Sequence, residues 1–425
     1  MEITLNAYYT LILATLVLLL GRFLTRRIKF LATYNIPEPV AGGLLAGCLV
    51  VLIKYFTGVS FIFDSDLQTA FMLMFFASIG LSADFKRLKV GGIPLVIFSL
   101  TVSGLIIVQN VVGVSMAALV GLDPLMGLVT GSITLTGGHG TAAAWGPILE
   151  DRYGVVGATT LGVATATFGL VAGGMIGGPV AKILLKKMKR EPLPPQEHLT
   201  PLEEQASKAS LYKTQHDEDD DGFMDALFDK PDQIRRLTVS SAIETLALFA
   251  ACLAFADVMT HVAKGTFIEL PTFVWALMGG VIIRNVLTHV FSFDMFDRAI
   301  DIFGNASLSL FLAMALLSLR LWELVDLALP VLAILAVQIV LMITYAIFIT
   351  YHVMGKDYDA VVLAAGHCGF GMGATPTAVA NMQAVTDRYG PSYKAFLLVP
   401  IVGAFFVDLI NATVLQIFTQ LPFLQ

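Results

Sequence analysis

The sequence predicts an all-α membrane protein in which ten transmembrane helices form two inverted five-helix repeats, each with a re-entrant hairpin. Three observations predict this fold: an apolar composition, a one-sided distribution of basic residues, and an internal repeat. Of the 425 residues, 56% are apolar and 14% are charged, and the mean hydropathy is +0.79. Because a soluble domain carries about 25% charged residues, most of this surface must face lipid.

Ten apolar segments approach the roughly 20 residues that a helix needs to cross the hydrocarbon core. The first repeat has spans at 4–22, 38–56, 66–83, 92–120 and 155–182, and the second has spans at 238–258, 271–289, 304–319, 327–351 and 395–421. The first apolar run is followed, not preceded, by basic residues. We therefore expect a first spanning helix rather than a cleaved signal peptide.

The Lys and Arg residues fix the direction of the spans, because the cytoplasmic loops of membrane proteins are enriched in both. With the N-terminus outside, 22 of the 26 basic residues fall on the cytoplasmic side, Arg284 among them, and 4 fall outside. This distribution predicts periplasmic N- and C-termini and a cytoplasmic central loop.

A charged linker at 183–237 is predicted between membrane repeats at 1–182 and 238–425. It holds 12 of the 32 acidic residues, between Glu191 and Arg236. Such a composition is typical of a solvated segment. The net charge of −6 therefore reflects one loop, and no nucleic-acid partner is expected. The three cysteines lie in apolar or glycine-rich segments, so they predict neither a disulfide framework nor a metal site.

Two further segments, at 124–149 and 360–386, carry no charge and are long enough to cross the membrane. The spans around them already connect the basic loops to the correct face. We therefore predict that each segment turns back, as re-entrant hairpins at 123–150 and 360–386. Non-helical backbone at membrane depth persists only where it is buried in protein or lines a cavity.

The two halves of the chain repeat each other at a nearly constant offset. The sequence Asp-Arg-Tyr-Gly at 151–154 recurs at 387–390, an offset of 236 residues. Gly42-Gly43 and Gly279-Gly280 are 237 residues apart. With five spans in each half, the second copy is inverted. Inverted repeats with paired interrupted segments indicate a secondary transporter whose site lies where the interruptions meet.

Both predicted hairpins are rich in glycine, reading Thr-Gly-Gly-His-Gly-Thr at 136–141 and Gly-His-Cys-Gly-Phe-Gly-Met-Gly-Ala-Thr-Pro-Thr at 366–377. Glycine lets backbone groups approach a ligand, and a buried half-helix N-terminus attracts a carboxylate. We expect Thr141 and Thr375 to cap the returning helices, with Pro376 as the first helical residue of the second. Alternatively, the glycines only allow close helix packing. The predicted substrate-binding residues are Gly138, His139, Gly140, Thr141, Gly373, Ala374, Thr375, Thr377 and Asp408.

Asp408 is the only charged residue after Lys394, and it falls near the middle of the last span. An intramembrane carboxylate is costly and indicates a functional site. It would bind Na⁺, a hard cation that favours oxygen ligands, or the ammonium group of an amino acid. The alternative is a structural hydrogen-bonding pair between helices. The predicted Na⁺ ligands are Asp408, Asn411, Asn381, Gly137 and Gly371.

Other polar residues within the apolar segments have less specific interpretations. His139 and His367 are each able to carry a proton or contact a ligand, but a neutral histidine satisfied by the backbone is the favoured interpretation. Gln109 and Asn110, inside the fourth span, are interpreted as contacts between helices.

The chain resembles the bacterial glutamate:sodium symporter family. The resemblance rests on Ile-Pro-Glu-Pro-Val-Ala-Gly-Gly at 36–43 and on both glycine-rich segments, and it extends over the chain outside the central loop. It implies Na⁺-coupled uptake of L-glutamate across the inner membrane by a homodimer, with both hairpins in a moving (elevator) domain. The family's Gly-Gly-x-Gly motif is matched at 137–140, whereas the second segment departs from it.

Other functions stay open from the residues alone. The coupling ion could be H⁺, and the substrate another amino acid or carboxylate. Two opposed hairpins also suit an anion channel. An enzyme is not expected, because no nucleophile–base pair or metal motif stands out.

Overall fold

The structure is a computed structural model that describes residues 2–33, 36–189, 238–264, 270–293, 295–317, 328–422 and 424. Within these ranges the regular secondary structure is helical, apart from a short parallel pair of strands, β1 (Glu2–Thr4) and β2 (Ser60–Ile62). The predicted linker lies outside the described residues from position 190 onward.

The first half of the chain forms eight helices within the described ranges, and a π-helical turn at Val129–Ile133 follows the short sixth helix. The helices are α1 (Ala7–Arg27), α2 (Lys29–Thr33), α3 (Glu38–Thr57), α4 (Ser65–Leu81), α5 (Phe85–Leu119), α6 (Met126–Leu128), α7 (Gly138–Tyr153) and α8 (Ala158–Lys187).

The described part of the second half also forms eight main helices. The helix α12 continues through a π-helical turn (Ala346–Thr350) and a last turn at Tyr351–Val353, and a second π-helical turn (Val402–Phe406) joins α15 to α16. The helices are α9 (Val239–Ala263), α10 (Thr272–His289), α11 (Asp297–Leu317), α12 (Ala328–Tyr345), α13 (Tyr358–Gly371), α14 (Thr375–Tyr389), α15 (Tyr393–Ile401) and α16 (Val407–Thr419).

Several helices begin where a polar side chain satisfies their first free N–H groups. Asn6 accepts hydrogen bonds from the N–H groups of Tyr8 and Tyr9 at the start of α1, both at 3.1 Å. Asp357 accepts one from the N–H of Ala360 at the start of α13, at 2.7 Å. Such caps are stabilising because they pair donors that the helix itself leaves free.

Seven helices of the described residues are long and apolar enough to cross a membrane: Ala7–Arg27, Glu38–Thr57, Gly91–Leu119, Ala158–Lys187, Val239–Ala263, Asp297–Leu317 and Ala328–Val353. Two shorter apolar helices, α4 and α16, coincide with further predicted spans. Large apolar side chains such as Leu16, Leu49 and Leu100 are at least half exposed, as lipid-facing residues are. An all-helical, multi-pass membrane fold is therefore confirmed, and the count of ten spans stays a prediction.

The helices pack as two groups. One group contains α1, α3, α4, α9, α10 and α11, and the other contains α5 to α8 and α12 to α16. Packing within each group is extensive, whereas the two groups meet at fewer points, mainly through α7, α16 and the π-helical turn before α16. At this boundary Ala143 of α7 lies among Phe311, Leu312 and Ala315 of α11, and Gly140 lies against Phe75 of α4.

The glycine pairs at equivalent positions of the repeats lie at helix crossings. A Cβ atom on Gly42 would lie 2.1 Å from the carbonyl oxygen of Val17, so α1 and α3 cross in contact. A Cβ atom on Gly280 would lie 2.6 Å from the carbonyl oxygen of Ala77, so α4 and α10 do the same. These glycines therefore allow close helix packing.

Arg284, which lies inside the predicted span 271–289, is a buried charge and not a residue of a solvent-exposed loop. It lies within α10, is 4% exposed, and its guanidinium pairs with Asp297 and, at 3.4 Å, with Asp84. Asn285 beside it donates to the carbonyl oxygen of Ala83 at 2.9 Å and accepts from the N–H of Phe85 at 3.0 Å. Two carboxylates offset the cost of burying the cation, so α10 holds the α4–α5 corner.

Candidate functional site

The first glycine-rich segment breaks its helix in the interior of the protein. Residues 125–136 are all buried, and Gly131 departs from helical geometry (φ −102°, ψ −131°) inside the π-helical turn. The chain resumes as α7 at Gly138, where φ is +68°. Gly137 occupies the capping position without a side-chain bond, and Thr141 is already the fourth residue of the helix. The expectation that Thr141 caps this helix is therefore wrong.

The second glycine-rich segment also breaks, between α13 and α14. Gly369 lies against Ala378, and Asn381 donates to the carbonyl oxygen of Ala365 at 3.3 Å, so α13 and α14 pack antiparallel. The capping residue is Ala374, in extended conformation and without a side-chain bond. Thr375 is thus the first helical residue and not the cap. Pro376 tolerates this shift because the first-turn N–H that it lacks has no helical partner in any case.

The two breaks adjoin each other. A Cβ atom on Gly138 would lie 3.2 Å from the carbonyl oxygen of Gly373. The carbonyl oxygen of Gly371 accepts a hydrogen bond from Gln109 Nε2 at 2.8 Å, and the Thr136 hydroxyl oxygen lies 3.2 Å from it. Predicted substrate residues from both segments are therefore brought together inside the second helix group.

Asp408 and Asn411 face the first break from α16, one helical turn apart. The Thr141 hydroxyl lies 3.5 Å from Asp408 Oδ1, at the limit of a hydrogen bond. Asn411 is fully buried and forms a reciprocal pair with Ser132: Ser132 Oγ donates to Asn411 Oδ1 at 2.6 Å, and Asn411 Nδ2 donates to the Ser132 carbonyl at 3.0 Å. A Cβ atom on Gly137 would lie 2.7 Å from Asn411 Nδ2.

The start of α7 offsets part of the cost of a negative charge at Asp408. Thr141 belongs to the first turn of α7, so the carboxylate of Asp408 lies near a helix N-terminus and its partial positive charge. An ionised carboxylate within a membrane span otherwise costs about 2.5–3.5 kcal/mol. The arrangement is able to hold a cation against Asp408 and an anionic group at the helix start.

The two histidines are engaged away from Asp408. His139 Nε2 lies 3.0 Å from the Thr167 hydroxyl on α8. His367 Nδ1 lies 2.9 Å from the Thr350 hydroxyl, and its ring stacks on Phe370 with centroids 5.1 Å apart. Both rings therefore contact threonine hydroxyls, where backbone partners were expected.

Two other predicted residues, Asn381 and Thr377, differ in how much of their hydrogen-bonding capacity is used. Asn381 donates to the carbonyl oxygens of Gly173, at 2.9 Å, and Ala365, which commits its amide N–H groups to α8 and α13. The Thr377 hydroxyl is buried and has no hydrogen-bond partner among the described residues. Buried hydroxyls are normally paired, so Thr377 has hydrogen-bonding capacity left for a ligand.

Gln109 and Asn110 were interpreted only as general contacts between helices. That interpretation did not predict that they lie at the two helix breaks. Both are fully buried on α5 and contact the breaks themselves. Two adjacent amide side chains in the middle of an apolar span are a signal in the sequence, because each must find partners away from lipid. Their partners could not be read from the sequence.

Apolar spans around a buried polar core with two helix breaks define a multi-pass membrane protein. The family model of the sodium/glutamate symporters matches residues 3–391. The chain is 52% identical over 417 residues to the sodium/glutamate symporter of Haemophilus influenzae, with 98% of each chain covered. The chain belongs to the sodium/glutamate symporter family, as the resemblance in the sequence indicated.

A second relative gives the same result. The sodium/glutamate symporter of Escherichia coli is 51% identical to this chain over 418 residues, and 98% of each chain is covered. The protein of the same name from Shigella flexneri is equally similar. These relatives are named for transport and not for catalysis.

Proposed function

We propose that this chain is a secondary active transporter that couples the entry of Na⁺ to the uptake of glutamate across the bacterial inner membrane. The observation that carries this function is the 52% identity, over 98% of both chains, to a sodium/glutamate symporter. The core of the protein supports it, because two uncharged helix breaks adjoin there beside the carboxylate of Asp408. Na⁺ is the coupling ion and glutamate the substrate.

Glutamate binds between the two breaks. Its carboxylates take the N–H and hydroxyl groups around Gly138 to Thr141 and Gly373 to Thr377, at the starts of α7 and α14. Its ammonium group goes to Asp408 or to backbone carbonyls. The short distance between Gly138 and Gly373 and the unpaired hydroxyl of Thr377 support this placement.

Na⁺ binds beside the first break before glutamate does. Asp408 and Asn411 supply oxygen atoms of the kind that hard cations favour, and Gly137 lies next to Asn411. The carbonyl of Gly371 is a weaker candidate, because it already accepts a hydrogen bond from Gln109 Nε2 in this conformation. Asn381 is a weaker candidate as well, since its amide is engaged on α8.

Transport proceeds by alternating access, with the second helix group moving as an elevator against the first. The separation of the helices into two groups supports this mechanism, as does the apolar contact of Ala143 and Gly140 with α11 and α4. Each positive charge that moves inward through 100 mV contributes about 2.3 kcal/mol to accumulation.

The architecture that accompanies this mechanism is also a proposal. It has ten spans in two inverted repeats, re-entrant hairpins at 123–150 and 360–386, and a cytoplasmic linker between the repeats. Matching antiparallel contacts between α13 and α14 support the second hairpin. The homodimer is implied by the family resemblance.

Uptake into proteoliposomes tests the function. We expect vesicles that contain the full chain to accumulate glutamate above its external concentration when Na⁺ is higher outside, and to do so more than with other amino acids and carboxylates. Equal uptake with choline in place of Na⁺ would contradict Na⁺ coupling. Equilibration without accumulation would indicate a channel instead.

A further inference from the structure

We propose that Gln109 and Asn110, adjacent on α5, are positioning residues that couple Na⁺ binding at Asp408 and Asn411 to glutamate binding between the helix breaks. This inference rests on the proposed function. It assigns a role to two residues that touch neither ion nor substrate in the sites proposed above.

Gln109 connects the two helix breaks through one side chain. Its Nε2 donates to the carbonyl oxygen of Gly371, at 2.8 Å, and its Oε1 accepts from the Thr136 hydroxyl, at 2.6 Å. The same hydroxyl lies 3.2 Å from the Gly371 carbonyl, which closes a ring of three groups. The residue is 0% exposed, so water does not compete for these bonds. A displacement of one helix break would therefore alter the hydrogen bonds of the other.

Asn110 connects α5 to the Na⁺ side of the site. Its Oδ1 accepts from the N–H of Ser132 at 3.0 Å, next to the distorted backbone of Gly131. Ser132 in turn forms the reciprocal pair with Asn411. A cation bound to the other lone pair of the Asn411 oxygen would weaken the hydrogen bond that the Ser132 hydroxyl donates to that oxygen. The change reaches the backbone that Asn110 holds.

The two amides act as a unit because they are consecutive in a helix. Adjacent side chains on an α-helix point about 100° apart, so α5 reaches two different groups from one position. Coupling between sites requires a contiguous physical network with more than one arrangement. The path from Asn411 through Ser132, Asn110 and Gln109 to Gly371 is contiguous in the structure, and its second arrangement would be the one with a cation bound to Asn411. The competing interpretation is that these amides only stabilise helix packing.

The test compares a variant that lacks the Gln109 amide with a variant that lacks an equally buried amide elsewhere. Gln338 is fully buried and donates to the backbone carbonyl of Gln109 at 2.8 Å, without a described hydrogen bond to either break. We expect Gln109→Met to lower the effect of Na⁺ on glutamate affinity by about fivefold or more. We expect Gln338→Met to retain that effect. The measurement is the ratio of glutamate dissociation constants at low and high Na⁺, by equilibrium binding of radiolabelled glutamate to the purified full-length protein.

Variants of the partner residues distinguish coupling from stability. Thr136→Val removes the hydroxyl that Gln109 accepts and should reproduce the loss, whereas Thr136→Ser keeps a hydroxyl and should restore most of the Na⁺ effect. Combining Gln109→Met with Thr136→Val should be no worse than either change alone, because both remove the same link. Asn110→Leu should also reduce the Na⁺ effect.

Three results would overturn the inference. One is a wild-type Na⁺ effect in Gln109→Met or, if that variant does not fold, in Thr136→Val. Another is an equal loss in Gln338→Met, which would show that any buried amide matters. A wild-type protein whose glutamate affinity ignores Na⁺ would overturn the proposed function as well, so the two failures are distinguishable.

Discussion

Asp408 is a carboxylate inside a predicted membrane span, where an ionised group is energetically costly. It is the only charged residue between Lys394 and the end of the chain, and it faces the start of α7 through Thr141. Its neighbour one turn on, Asn411, is locked to Ser132. A structural pair between helices would need a partner that uses the carboxylate fully, and the 3.5 Å contact to Thr141 does not. Among the described residues, the carboxylate of Asp408 therefore keeps hydrogen-bonding capacity that a ligand could use.

Replacing this carboxylate tests its role directly. We expect Asp408→Asn to abolish Na⁺-dependent glutamate uptake in vesicles while the protein still inserts, because an amide of similar shape carries no charge for a cation. Asp66→Asn, at the exposed start of α4, is the matched control and should transport normally. Uptake by Asp408→Asn at the wild-type rate would remove Asp408 from the mechanism.

At the scale of elements, the sequence predicted where helices break but not how they restart. Runs of glycine without charge placed both breaks correctly, because such backbone tolerates a turn and its polar groups need burial. The helix starts were misplaced because tertiary contacts decide them: α7 begins at Gly138, against Gly373, before Thr141 is able to cap it.

Residues with distant partners were the hardest to interpret. The buried state of Arg284 depends on Asp84, 200 positions away in the chain. The role of Gln109 depends on Gly371, 262 positions away. A single sequence contains the polar groups but does not record which of them meet. The partners of Arg284 were therefore not predicted, and Gln109 was interpreted only as a contact between helices.

The helix α5 has a bend that only glycine accommodates. Gly92, with φ +52° and ψ −150°, lies two residues before Pro94. Since side chains strain such backbone by about 1–3 kcal/mol, Gly92→Ala should lower the melting temperature of the purified protein. Gly178→Ala is the control, because Gly178 is an exposed helical residue with nothing within 4 Å of an added Cβ atom. An unchanged melting temperature for Gly92→Ala would mean that the bend relaxes freely.

At the scale of the whole molecule, the repeats share local structure as well as sequence. Arg152 and Arg388 lie over the rings of the tyrosines that follow them, at 5.9 and 5.8 Å. Both pairs lie in the last turn of a helix, α7 and α14. The basic residues predict that these two equivalent turns lie on opposite faces of the membrane.

Single cysteines test that inversion. In a background in which the exposed Cys48 is replaced by alanine, cysteines at positions 152 and 388 should react with a membrane-impermeant maleimide from opposite faces of the membrane. The reason is that five spans per repeat reverse the direction of the second copy. Labelling of both positions from one face would contradict the inverted repeat.

The apolar contact between the two helix groups has a kinetic consequence. Gly140 against Phe75, and Ala143 among Phe311, Leu312 and Ala315, are dispersion contacts without a preferred direction. Contacts of this kind weaken gradually as surfaces slide and re-form in a new position, whereas a hydrogen bond holds one register until it breaks. If the second helix group moves as an elevator, the volume of the side chains along this contact would therefore affect the energy barrier to sliding. Ala143 and its neighbours on α11 are not predicted ligand-binding residues, so substitutions there would change the turnover rate more than the ligand affinity.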